Sequence, residues 1–204
     1  MAANFYFQPS DQAFAKHEGY LPKNGVFNAL KAYDKYVVGE GRSIPLDLWL
    51  GTALQETTLG RFFRGDDGKL VAMPKGEVHP NPMQAMPDDD KYWQKMAAKY
   101  GGKINGGDFS EVGDAMVKKG VDPLIDFAAF KLQEGIDRFK TPERASRWYN
   151  TGDPVPRERI PSLGQDLKKN STVKQIIQNI QDNYTGKQWV DRLKTNDLPL
   201  EGMF

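Results

Sequence analysis

The sequence predicts a mainly α-helical protein of one domain, with a loop or small hairpin inserted between its helical parts. Apolar residues recur at the three- and four-residue spacing of amphipathic helices through much of the 204-residue chain. Ser, Thr or Asp precedes several of these stretches and glycine follows them, as at helix starts and ends. The length suits one domain, and 39% hydrophobic with 27% charged residues is ordinary for a globular protein.

The first predicted helix follows an irregular stretch that ends near Asn24. Its apolar positions are Val26, Leu30, Tyr33 and Val37. They lie three or four residues apart, so they share one face of a helix. Gly39 and Gly41 favour the end of the helix soon afterwards.

The second predicted helix begins with Ser43 and Pro45, a capping residue and a proline in the first turn. It continues through DLWLGTALQETTL and stops at Gly60. The stretch 61–87 then holds three glycines and four prolines, and its KLVAM segment is typical of a short strand. We expect a functional loop or hairpin here, because long loops without structure are otherwise uncommon in compact domains.

Helical patterns return after this insertion. Three aspartates, Asp88, Asp89 and Asp90, place negative charge at the next helix start, and Gly101 with Gly102 favours its end. Later helices are predicted over 109–119, from Asp122–Pro123 through DFAAFKLQEGIDRF, over ERASRWYN behind a Thr141–Pro142–Glu143 cap, from Ser171 to Tyr184, and over KQWVDRL. We divide the chain into an N-terminal segment with the first helix (1–42), a main domain (43–184) and a C-terminal extension (185–204).

Several function classes are excluded by composition. The chain has no cysteine, which excludes disulfides, thiolate catalysis and cysteine metal sites. Its net charge is +1, with Lys and Arg scattered among acids, so we expect no nucleic-acid partner. The two histidines, His17 and His79, lie far apart without a zinc-protease motif, and we expect neither a metal nor a cofactor. We also expect no signal peptide and no membrane-spanning segment.

The second predicted helix carries an unusual carboxylate. Trp49, Ala53, Glu56 and Gly60 fall on one helical stripe, flanked by Leu46, Leu50 and Leu59. A glutamate in apolar surroundings has its charged form disfavoured, so its pKa rises, as a general acid near neutral pH requires. The alternative is a glutamate at the edge of the stripe that reaches water or pairs with an arginine.

Three short motifs follow one another along these predicted elements. They are LQETTLGRF around Glu56, NPMQAMP over 81–87, and WYNTG over 148–152. Together they resemble the motifs of lytic transglycosylases related to goose-type lysozyme, in which Glu-Ser, Gly-Leu-Met-Gln with Met-Pro, and Ala-Tyr-Asn-x-Gly occur in this order. Thr57 replaces the serine, Asn81–Pro82 replaces Gly-Leu, and Trp148 replaces the alanine. The resemblance covers about residues 43–184, and a longer loop with RGDDGK replaces the family's Ser-x-x-Gly-Ala stretch.

The resemblance implies a lysozyme-like fold of the α+β type that binds peptidoglycan glycan strands. Glu56 would protonate the bond between N-acetylmuramic acid and N-acetylglucosamine. It would then act as base on the C6 hydroxyl, which forms a 1,6-anhydro sugar. By motif position, Tyr149 would orient Glu56, and the substrate-binding set would be Thr57, which also supports the acid loop, with Met83, Gln84, Tyr149 and Asn150. Core packing is the alternative for Tyr149 and Met83, and backbone capping is the alternative for Gln84 and Asn150.

Two other functions compete with this hypothesis. If Asp66, Asp67 or Asp88 lay across a cleft from Glu56, it could activate water, and the protein would be a hydrolytic muramidase. RGDDGK is otherwise typical of a solvated turn. A protein that binds peptidoglycan without cleaving it, within a virion or a secretion machine, is the third hypothesis.

Delivery is a separate expectation. Peptidoglycan lies outside the cytoplasm, and no export signal is visible in the sequence. We therefore expect a bacteriophage protein, carried in the particle or released through a holin pore, or else a secreted bacterial protein. Its partners would include the phage particle or the secretion machine.

Overall fold

The computed structural model describes residues 23–57, 59–64, 69–74, 77–141, 144–145 and 148–149. This part of the chain is mainly helical, as predicted, with five α-helices and one antiparallel pair of strands. The elements are α1 (Lys23–Tyr33), α2 (Leu46–Thr57), β1 (Phe62–Arg64), β2 (Leu70–Ala72), α3 (Asp90–Tyr100), α4 (Ser110–Lys118) and α5 (Pro123–Phe139). The helices predicted after residue 150, the C-terminal extension and residues 1–22 lie outside the described residues.

Helix α1 continues directly into a π-helical turn, Asp34–Val38, before Gly39. Leu30 and Val37 are buried on its inner face, as the apolar spacing predicts. Two side chains tie this region to the start of α2. The Trp49 indole donates to the carbonyl of Ala29 at 2.8 Å, and the Tyr33 hydroxyl donates to the carbonyl of Ile44 at 2.8 Å.

Helix α2 ends at Thr57, two residues before Leu59, the last residue of the predicted helix. The backbone turns left-handed at Leu59 (φ 59°) and Gly60 (φ 85°), which ends the helix. The amide of Leu59 donates to the carbonyl of Ala53 at 2.9 Å. A side chain at Gly60 would lie 3.0 Å from the carbonyl oxygen of His79, so glycine permits this close approach.

The predicted strand within KLVAM is confirmed as β2. It pairs with β1 in the register Phe62–Ala72, Phe63–Val71 and Arg64–Leu70. The hairpin that was expected in this stretch as an alternative to a loop is therefore present, but the position of its first strand, β1, was not predicted, because its three residues show no alternation of their own. The Phe63 ring stacks on His79 at 4.9 Å between centroids, so the hairpin packs against the segment that precedes the 81–87 loop.

Aspartate side chains cap the starts of α3 and α5. Asp89 accepts from the amides of Lys91 and Tyr92, and Asp122 accepts from the amides of Leu124 and Ile125. These contacts satisfy amides that have no partner within the helix. The predicted starts of both helices, and the predicted short helix over 109–119, are confirmed within a residue or two.

One hydrophobic cluster joins α1, the π-helical turn, α2, the loop before α3, and α3 to α5. A buried carboxylate lies beside it. Asp126 pairs with Arg42 at 2.8 Å and accepts from the Tyr92 hydroxyl at 3.1 Å, so the buried charge is compensated. Burial raises the pKa of the Tyr92 phenol, and the charge of Asp126 raises it further. Within the described residues, none of the helices has the length and apolar character needed to cross a membrane.

Candidate active site

Residues from all three sequence motifs line one cavity of about 300 Å³. Its walls come from the end of α2, the loop before α3, one face of α5 and Tyr149. The lining residues are Glu56, Met83, Gln84, Ala85, Met86, Asp88, Phe127, Lys131 and Tyr149. The described fold therefore brings together four of the residues that the sequence singled out, Glu56, Met83, Gln84 and Tyr149, across more than ninety positions of chain.

Glu56 lies in the last turn of α2 and is half-buried. Ala53 and Trp49, one and two turns earlier on the same stripe, are buried in the core. The stripe thus runs from the hydrophobic core to the cavity wall, where Glu56 lies. Its backbone carbonyl accepts a hydrogen bond of 2.6 Å from the side-chain amide of Gln84, which caps this end of the helix.

The loop over 81–87 is closed by the side chain of Asn81. Its amide nitrogen donates to the carbonyl of Ala85 at 3.0 Å, and its oxygen accepts from the amide of Ala85 at 3.2 Å. Gln84 sits inside this loop with a left-handed backbone (φ 46°). Asn81 of the Asn-Pro pair therefore gives this loop a defined geometry.

Thr57 lies behind the cavity wall rather than on it. Its side chain is buried (1% exposed), and its hydroxyl lies 2.7 Å from the Pro82 carbonyl and accepts from the Gly60 amide at 2.7 Å. These contacts join the end of α2 to the 81–87 loop. Thr57 therefore lies where it can support the acid-bearing turn, and its contact with substrate stays a prediction.

Tyr149 meets the cavity from the opposite side. Its hydroxyl donates to the carbonyl of Met83 at 3.0 Å. Burial raises the pKa of the Tyr149 phenol, and the nearby negative charge of Glu56 raises it further. Met83 is 1% exposed, so it forms the floor of the cavity and offers little surface to a ligand.

The cavity also contains residues that the sequence did not single out. Met86, from the NPMQAMP motif, also lines the cavity, with 77% of its surface exposed. The residues not singled out are Phe127 and Lys131, which lie one turn apart on α5. Their only sequence signal was a four-residue spacing in a helix expected to precede the Tyr-Asn motif. Asp88, weighed earlier as a second carboxylate, is exposed on the cavity rim.

Three predicted residues lie outside the described residues: Asn150, Asp66 and Asp67. Among the described residues, no group of three or more histidine or carboxylate side chains is arranged to hold a metal ion. No protein-family model, curated protein or solved structure matches the chain.

Proposed function

We propose that this protein is a peptidoglycan lytic transglycosylase with a lysozyme-like fold and Glu56 as its acid/base residue. One observation carries the proposal. Glu56, Gln84 and Tyr149 come from three separate sequence motifs and line the same cavity. Chance similarity in short motifs gives no reason for their residues to converge.

The chemistry needs one carboxyl group that first donates and then accepts a proton. Protonated Glu56 would give its proton to the glycosidic oxygen as the bond to the muramic acid anomeric carbon breaks. The resulting carboxylate would take the proton of the C6 hydroxyl, whose oxygen bonds to that carbon. The products are a 1,6-anhydromuramic acid end and a free N-acetylglucosamine end, Glu56 is again protonated, and no water is consumed.

The surroundings of Glu56 suit this role. Glu56 is half-buried and lines the cavity at the end of an apolar helical stripe. The Gln84 amide holds the Glu56 backbone, and the neutral Tyr149 phenol holds the Met83 backbone opposite. These contacts keep the carboxyl group and the facing loop at a fixed separation, as catalysis by positioning requires.

A hydrolytic muramidase is the second candidate, and Asp88 is the observation that favours it. Asp88 lies on the rim of the cavity that Glu56 lines, and its exposed carboxylate could activate a water molecule. Peptidoglycan binding without turnover remains the third alternative. We further propose delivery to the cell wall by a phage particle, a holin pore or a secretion system.

The test compares wild type, Glu56→Gln and Glu77→Gln on purified peptidoglycan, with soluble muropeptides identified by mass spectrometry. Glutamine keeps the shape of Glu56, but its amide cannot act as a general acid, so we expect activity to fall at least about a hundredfold. Glu77 is an exposed glutamate outside the cavity, and its variant should match wild type. Equal product release by all three proteins would refute the role of Glu56, and release by none would favour the binding alternative.

A further inference from the structure

Three residues on α5 form a seat for the indole of Trp148. Lys131, Gly135 and Phe139 are spaced four apart and therefore lie along one face of the helix. The Lys131 ammonium lies 4.1 Å from the centre of the indole ring, and the Phe139 ring meets it edge-on at 6.0 Å. Between them, a β-carbon at Gly135 would be 3.2 Å from the indole Cε3, so glycine leaves the room that the ring occupies.

The same lysine reaches the opposite wall of the cavity. Its ammonium lies 3.4 Å from Asp89 and 3.3 Å from Glu134. Asp89 caps α3 and directly follows Asp88 at the end of the cavity loop. Lys131 thus contacts the end of that loop and the ring of Trp148 at once, and its side chain, 23% exposed, itself lines the cavity.

Tyr149 directly follows Trp148 in the chain. The Tyr149 hydroxyl lies 3.0 Å from the carbonyl of Met83. A movement of the indole from its seat would carry Tyr149 with it and widen the gap between the walls. The family motif has alanine where this chain has Trp148, so the seat is a feature of this sequence.

We propose that Lys131 is a positioning residue that holds the two walls of the cavity together through Asp89 and Trp148. Its catalytic consequence rests on the proposed glycan cleavage, whereas its structural consequence does not. A cation suits the position because an ammonium group attracts both a carboxylate and the face of an indole. An aliphatic side chain of the same length could pack there but would provide neither attraction.

The experiment uses the full chain with fluorine-labelled tryptophan and follows the four indole signals by NMR. Trp148→Phe assigns the signal of interest. Lys131→Met keeps an unbranched chain but removes the charge, Lys131→Arg keeps a cation that can stack on the indole, and Lys131→Gln is a second neutral variant. Lys95→Met is the matched control, because Lys95 is an exposed lysine over the Phe130 ring at 5.5 Å and does not line the cavity.

We expect both neutral variants to shift or broaden the Trp148 signal and Lys131→Arg to restore it, with no effect from Lys95→Met. On peptidoglycan, kcat should fall about tenfold to a hundredfold in the neutral variants, with KM nearly unchanged and recovery in Lys131→Arg. An unchanged Trp148 signal in folded Lys131→Met or Lys131→Gln would overturn the proposal. If the signal moves but wild type cleaves nothing, the proposed function fails while the positioning role stands.

Discussion

Replacement of Thr57 by valine removes one buried hydroxyl while keeping the shape of the side chain. The amide of Gly60 loses its acceptor at 2.7 Å, and the carbonyl of Pro82 loses its hydroxyl partner at 2.7 Å. A buried group left without a partner costs about 1–3 kcal/mol. The Pro82 contact is only partly buried and therefore costs less, so we expect a total loss of about 2–4 kcal/mol in the free energy of unfolding. That is a large share of the roughly 5–15 kcal/mol by which domains are stable.

Thermal denaturation of Thr57→Val and Thr57→Ser measures this loss. Serine keeps the hydroxyl and removes only a methyl group, worth about 1 kcal/mol. For a protein of this size Thr57→Val should lower Tm by roughly 6–12 °C, and Thr57→Ser by much less. Activity should follow the same order, because these bonds hold the acid-bearing turn to the 81–87 loop. Equal stability of the two variants would refute the reasoning, since it would mean that the hydroxyl contacts contribute no more than the methyl group that serine lacks.

Three further predictions follow from the same geometry. Gly135→Ala should destabilise the fold, because the new β-carbon would lie 3.0 Å from two atoms of Ala145. Such overpacking costs about 1–3 kcal/mol, which outweighs the gain of about 1 kcal/mol from the higher helix propensity of alanine. Gly113→Ala, whose β-carbon would meet only the Trp93 ring at 3.9 Å, should be neutral or stabilising, and urea denaturation of both compares them. Asp88→Asn should leave transglycosylase turnover nearly unchanged, whereas a fall of about a hundredfold or more in muropeptide release would indicate a base for water. Stability should decline above about pH 10, because tyrosines of the unfolded chain ionise there, whereas the raised pKa of Tyr149 and Tyr92 keeps both phenols neutral in the folded protein. In alkaline denaturation, Tyr149→Phe should make this decline less steep. The same dependence of stability on pH in wild type and Tyr149→Phe would contradict the contribution of the buried phenol.

The parts of the fold that follow from neighbouring residues were predictable. Asp89 and Asp122 stand one residue before their helices and cap them through their own side chains, so local sequence is sufficient. The buried faces of α1 and α2 follow from apolar spacing in the same way. Glu56 stood out because it interrupts such a face.

Contacts between distant residues could not be predicted in this way. The end of α2 depends on Thr57 meeting Pro82, a partner 25 residues away. The pairing of Arg42 with Asp126 spans 84 residues, and neither residue carries a local sign of it. The contact of Trp148 with α5 likewise depends on the folded arrangement of the chain. Lys131 gave no sign of this contact in the sequence, because a lysine in a helix with several charged neighbours is typical of an exposed face.

Cleavage of purified peptidoglycan in water enriched with oxygen-18 tests the central claim most directly. In the proposed reaction the C6 hydroxyl of the sugar attacks, so the new anhydro ends should carry no label, and Glu56→Gln should yield almost none of these ends. Reducing ends that carry one labelled oxygen would contradict the account, because a water molecule activated at the cavity would then have made the cut.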